Sequence, residues 1–210
     1  MTVLKSRLNR KPKAWALSTL LVLLGLFSGN QVLCGESKKV EEDRRNARVR
    51  ATYVTRLVQF IRWDSNSTQQ SDSFKIAVLG NENVGFVQSL KFLASQSNTN
   101  SNGHPVTVAH FLNSQREDAL RYIKSGVHFI YFTQDSDLTV SELKPIRNGA
   151  MFLAEGRSFV VDGSGCIGFE KTRNRIKLIV NEHCFRRRFA KVDPVLTSLR
   201  SVVEVVKKDI

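Results

Sequence analysis

Residues 127–132 read Val-His-Phe-Ile-Tyr-Phe. A strand this apolar on both faces is stable in one setting, the interior of a sheet covered on both sides. Three further apolar runs, at 74–79, 105–111 and 150–154, are short enough for strands. Between these runs lie segments of helical period. Residues 84–94 put Phe86, Val87, Leu90 and Leu93 on one side, and a helix ending near Lys124, capped by Asn113 or Ser114, turns Ala119, Leu120 and Ile123 inward. A short helix is expected at 138–146. Upstream, 37–63 reads as one long helix, with Val40, Ala47, Ala51, Val54, Leu57, Val58 and Ile61 at three- and four-residue steps. Strict alternation of helix and strand implies parallel strands joined by crossover helices.

The C-terminal end breaks the alternation. Residues 166–170 and 175–180 are apolar runs joined by polar Lys171-Thr-Arg-Asn, a hairpin signal, and Asp193-Pro194 opens a closing helix. That helix is expected to bury Val195, Leu196, Leu199, Val202, Val203 and Val206. The polar runs 64–73 and 95–104 are loops. The fold class is therefore α/β: a single three-layer domain with a mixed, largely parallel sheet, a C-terminal β-hairpin and flanking long helices.

Charge looks at first like a nucleic-acid signature, with 32 basic against 19 acidic residues and a net +13. Its distribution argues otherwise. Five basic residues and no acid fall in the first 35 positions, ahead of an uncharged Leu-rich run at 14–27 (AWALSTLLVLLGLF). A basic start and an apolar stretch shorter than the roughly 20 residues of a membrane span describe a secretory signal peptide, expected over 1–35 and removed from a mature 36–210 domain. Residues 36–170 are almost balanced, whereas the last forty residues hold 11 basic and 4 acidic side chains. An exported protein meets little nucleic acid, so the surplus reads as a docking edge. Its densest part is Arg186-Arg187-Arg188 with Lys191 nearby, suited to an acidic protein face or anionic lipid.

No motif carries catalytic or cofactor chemistry. Gly163-Ser164-Gly165-Cys166-Ile167-Gly168 spells a dinucleotide-binding pattern, but it runs into a hairpin where pyrophosphate binding needs a helix N-terminus. It reads as a turn with glycines for close backbone approach. His104, His110, His128 and His183 form no metal-ligand pair. Cys184 beside His183 lacks an orienting third group, and Ser164 lacks a nucleophile-elbow context. With Cys34 removed in the leader, Cys166 and Cys184 remain, an even pair in an oxidising compartment. They flank the hairpin at unequal distances from its turn, so a disulfide and two buried thiols both stay open.

The segment Ala51-Thr-Tyr53-Val-Thr-Arg-Leu57-Val-Gln-Phe60-Ile-Arg-Trp63, followed by Phe74-Lys-Ile-Ala-Val-Leu-Gly80, resembles the opening of YfiR-like proteins. Ile167-Gly-Phe169, Arg175-Ile-Lys-Leu-Ile-Val-Asn181 and the apolar C-terminus follow in matching order, so the resemblance spans roughly residues 45–206. It implies a non-enzymatic periplasmic regulator, of the YfiR/HmsC type, that binds the periplasmic sensory domain of an inner-membrane diguanylate cyclase and lowers cyclic-di-GMP and biofilm output. It also implies redox-responsive disulfides and homodimers, no cofactor and no metal, and membrane contact only through the partner. Cys166 and Cys184 do not reproduce a two-disulfide arrangement. The expected partner contacts are Arg186, Arg187, Arg188 and Lys191, with Tyr53 and Trp63 as packing or anchor positions. The rival reading is a small-ligand sensor with a pocket at the C-terminal strand ends, near Gly80-Asn81 and Thr133-Gln134.

Overall fold

The structure is a computed structural model that describes residues 15–63, 72–96, 104–146, 149–163, 165–173, 175–188 and 190–207, with side chains from residue 37 onward. The basic start of the expected leader, most of the loops at 64–73 and 95–104, and Ser164 lie outside the described residues. Contacts divide the chain into two units, Met1–Glu42 and Asp43–Ile210. The first is helical from Trp15, in helix α1 (Trp15–Phe60).

In the second unit α1 buries Ala47, Ala51, Val54, Leu57 and Val58, the stripe read from sequence. Then follow β1 (Ile61–Trp63), β2 (Phe74–Leu79), α2 (Phe86–Gln96), β3 (Val106–Phe111), α3 (Arg116–Lys124), β4 (Phe129–Phe132), α4 (Val140–Leu143), β5 (Met151–Glu155), α5 (Ser158–Val161), β6 (Ile167–Thr172) and β7 (Arg175–Asn181). The chain closes through α6 (Glu182–Arg187), β8 (Ala190–Val192), α7 (Pro194–Ser198) and β9 (Val203–Val206). Seven strands form one sheet in the order β3-β2-β4-β5-β6-β7-β9, parallel throughout except for the antiparallel β6–β7 hairpin.

Every residue of β4 is buried. Neighbouring side chains on it serve opposite layers: Tyr131 stacks on Phe86 of α2 at 4.3 Å, while Phe132 meets Phe159 of α5 at 5.7 Å. That is the three-layer arrangement the apolar run demands. The glycines before the hairpin allow close packing, since a Cβ on Gly168 would lie 2.4 Å from the Gly156 carbonyl oxygen, and one on Gly165 would enter the Phe159 ring. A short α5 precedes this stretch, at residues to which the sequence pattern assigned no element.

Three expectations are corrected. The long helix stops at Phe60, and Ile61–Trp63 pairs antiparallel with β8, because a cross-strand ladder to Ala190–Val192 outweighs the helical period. The closing helix is only α7, and Val203–Val206 is a strand parallel to β7. Val202, Val203, Val205 and Val206 are β-branched and stiff at χ1, which favours an extended chain on an open sheet edge. Leu196 and Val203 are buried as expected, whereas Val195 and Leu199 are exposed. Finally, α3 begins after a 3₁₀ turn at Asn113–Gln115 and has no side-chain cap. Asn113 instead donates to the Asp135 carbonyl and accepts from the Asp137 N–H, tying β3 to the loop after β4.

β9 is held from its second face as well. Glu204 accepts hydrogen bonds from Arg157 and from Lys177 (2.8 Å), and these hold its carboxyl at about 2, against an ordinary 4.5. A depressed carboxylate stabilises the fold above its unfolded value and loses that contribution as pH falls through the folded one. Glu204→Gln should therefore melt below the wild type at neutral pH. The gap should narrow between pH 4.5 and about 2 in thermal scans by circular dichroism.

Candidate functional site

Asn181 ends β7 and caps α6, its Oδ1 accepting the His183 N–H at 3.1 Å. The hairpin register places Ile167 opposite Val180, and the Asn181 N–H donates to the Cys166 carbonyl at 2.9 Å. One helical turn beyond Asn181 carries Cys184 back over Cys166. The two are joined as a disulfide, with Cα atoms 5.2 Å apart. The unequal distances from the hairpin turn are thus taken up by α6, an element that sequence did not indicate.

The same helix separates the three consecutive arginines. Arg186 and Arg187 are exposed on its outer side. Arg188, expected among the partner contacts in a solvated stretch, is instead only 6% exposed, with its guanidinium 4.3 Å from the Phe152 ring centre. It is a packing residue, since a planar cation on an aromatic face can be buried where an unpartnered ammonium cannot. Tyr53 and Trp63 are half-buried against the core. Trp63 donates its Nε1 to the Gly149 carbonyl at 3.1 Å and meets the Phe74 and His128 rings edge-on, so it braces the start of the sheet.

Lys191 is exposed on β8, and the register sets it directly opposite Arg62 on β1. Arg62 was not legible in sequence, because its residue fell inside the expected helix. Arg186 and Lys191 also line one groove of about 480 Å³, together with Val180, Phe185, Val192, Pro194 and Val205. Glu182 lies on the same groove and pairs with Arg186 at 4.0 Å and Lys207 at 3.7 Å. Three of the seven exposed large apolar side chains among the described residues, Val195, Leu199 and Val205, sit on this α7–β9 corner.

At the other end of the sheet, the place where the strand order switches lies between β2 and β4. It is narrowed by close packing: a Cβ on Gly80 would fall 2.2 Å from Thr133 Oγ1 and 2.7 Å from the Ser136 backbone, and Asn81 bridges to Asp135, which leaves only a small pocket of about 110 Å³ lined by Gly80, Phe111, Arg116 and Leu138. A cleft of about 430 Å³ does open beside it, over Phe132, Thr133, Gln134, Glu155 and Phe159. Two carboxylates line it, Glu155 and Asp162, and the first is engaged internally: Glu155 meets Arg50 of α1 at 2.8 Å and accepts from Gln134 at 3.2 Å. Burial raises the Glu155 carboxyl above its ordinary value despite the arginine.

The remaining sequence candidates are placed as follows. His110 Nε2 lies 2.9 Å from the Gly80 carbonyl, and His128 Nδ1 accepts from the Lys75 N–H at 3.0 Å while stacking on Phe74. The disulfide occupies the Cys184 sulfur. Among the described residues, no group of three or more His, Cys, Asp or Glu could hold a metal ion, and no helix is long and apolar enough to cross a membrane.

The YfiR/HmsC-like family model matches residues 47–200. The chain belongs to the YfiR/HmsC-like family. The family is a regulatory one. Among solved structures, it is similar to a conserved domain protein from Vibrio cholerae O1 biovar El Tor strain N16961, at 13% identity and a TM-score of 0.45. That match covers 63% of this chain, which spans 54% of the solved one. No curated protein matches.

The different placements of the arginines make a direct test. Arg188→Ala should cost about 2 kcal/mol of desolvated cation–π contact, lowering the melting temperature by about 4–8 °C. Arg186→Ala and Arg187→Ala should stay within about 0.5 kcal/mol of wild type, read in the same thermal scans.

Proposed function

We propose that the chain is a periplasmic regulator that binds the periplasmic sensory domain of an inner-membrane diguanylate cyclase, favours its inactive conformation and lowers cyclic-di-GMP. The observation that carries this reading is the family match over residues 47–200. Residues 1–35 act in it as the export signal, and 36–210 as the working domain. Docking uses the basic edge, with Arg186 and Arg187 on α6 and Lys191 and Arg62 on the β8–β1 ribbon. Such a regulator needs no reaction centre. It works by differential affinity for two partner conformations.

A small-ligand sensor is the second reading, favoured by the cleft over Gln134 and Glu155. Thermal stabilisation by a metabolite panel without any protein partner would support it.

The deciding experiment crosslinks the full chain in its own cells, captures it from solubilised membranes and measures cyclic-di-GMP in a deletion strain. Capture of a diguanylate cyclase together with a rise in the nucleotide on deletion is expected. No signalling partner and no change in nucleotide would refute the regulator. Glu at Arg186, Arg187 and Lys191 together should weaken capture about tenfold, and equal capture would dispose of the basic edge as the docking surface.

A further inference from the structure

Among the described residues the sheet ends at β9; on its outward edge the Val203 N–H is taken by the Leu199 carbonyl at 2.8 Å, and the edge is open from Val205 onward. The Leu178 N–H donates to the Val202 carbonyl at 2.8 Å. In the parallel ladder the N–H and C=O of Glu204 therefore turn toward β7, and those of Val205 point away from the sheet. The edge is short, yet the surface beside it is shaped for a peptide. Val205 lines the groove of about 480 Å³, with Val192, Pro194 and Thr197 along its wall and Arg186 and Lys191 at its rim. Lys207, one residue beyond β9, lies at the same rim through Glu182.

We propose that an extended acidic segment of the partner adds as a strand to the open edge of β9, laying apolar side chains into the groove and carboxylates against Arg186, Lys191 and Lys207. The inference rests on the regulatory reading above and names the mode and the chemistry of its contact. Strand addition supplies affinity through main-chain hydrogen bonds and specificity through pockets for alternate side chains. Charge selects the occupant. A second copy pairing edge to edge would bring the same cations face to face, whereas an acidic segment meets Arg186, Lys191 and Lys207 with opposite charge. The opposite face of β9 is closed to it, since Glu204 is already shared by Arg157 and Lys177.

The test titrates fluorescent eight-residue peptides into the purified full chain: one alternating Glu and Val, one with Lys for Glu, and one with Pro at its centre. The acidic peptide should bind, more weakly with added salt, and the other two at least about tenfold more weakly. Hydrogen exchange should show the Val205 amide slowed when that peptide is bound. Val205→Pro removes the outward N–H while leaving the ladder to β7 intact, which an edge strand tolerates, so this variant should lose the peptide with an unchanged melting temperature, and Val205→Ala, which trims the same groove wall but keeps the N–H, should lose less. Should it fold poorly, Val205 amide exchange in the wild type decides alone. Equal binding of the lysine or proline peptide, no binding, or no change at the Val205 amide would overturn strand addition. Membrane capture that survives Val205→Pro would overturn it too, while leaving the regulator standing. Failure of capture by the wild type would count against the regulator instead.

Discussion

Everything in this domain follows from burying β4 and β5 on both faces. A central strand with no polar face obliges helices to cover each side. That calls for helical crossovers, and with them the parallel strands and the opposed placement of Tyr131 against α2 and Phe132 against α5. Only at the β6–β7 hairpin does the chain reverse, and there the helical cover gives way to short elements. The long elements build the core. The short ones, α6, β8, α7 and β9, present charge and an open edge to whatever lies outside.

Sequence disclosed the core and concealed that periphery, for a physical reason. Long periodic stretches such as residues 84–94, or the run at 127–132, carry enough apolar positions to declare their type without help. Ile61-Arg62-Trp63 and Val203-Glu-Val-Val206 are too short for that, and their conformation is decided by partners far away in the chain: Ala190–Val192 for the first and β7 for the second. A valine-rich stretch that scans equally well as helix or strand is settled by the free edge next to it. The arginine triplet shows the same limit. Its composition was plain, but only a helix phase could tell that Arg188 turns inward to Phe152 while its two neighbours stay in water.

The site residues divide along this line. Cys166 and Cys184 were visible as a pair, yet the turn of helix that unites them was not. Arg186, Arg187 and Lys191 were visible as charge, whereas Arg62, which joins them through a ladder, was hidden by its assignment to a helix. The rival pocket at the strand ends opens unequally: the Gly80 side keeps only a small pocket of about 110 Å³, and the Thr133–Gln134 side opens into a cleft of about 430 Å³. In that cleft Glu155, one of two acids, is already paired to Arg50, so its polarity serves the fold first.

The β1–β8 ribbon has a consequence for how the molecule comes into being. It joins Ile61 to Val192, and the Asp193 N–H donates to the Phe60 carbonyl at 2.8 Å, so the end of α1 and the penultimate strand hold each other in place. Such a contact spans most of the domain and carries the loop-closure cost of everything between. The hairpin, the disulfide and β9 are local by comparison and can form among themselves. Lys191 reaches its position only when chain made early meets chain made last. The basic edge is therefore a property of the finished domain: a truncated or half-folded copy keeps the arginines of α6 but not the surface they belong to.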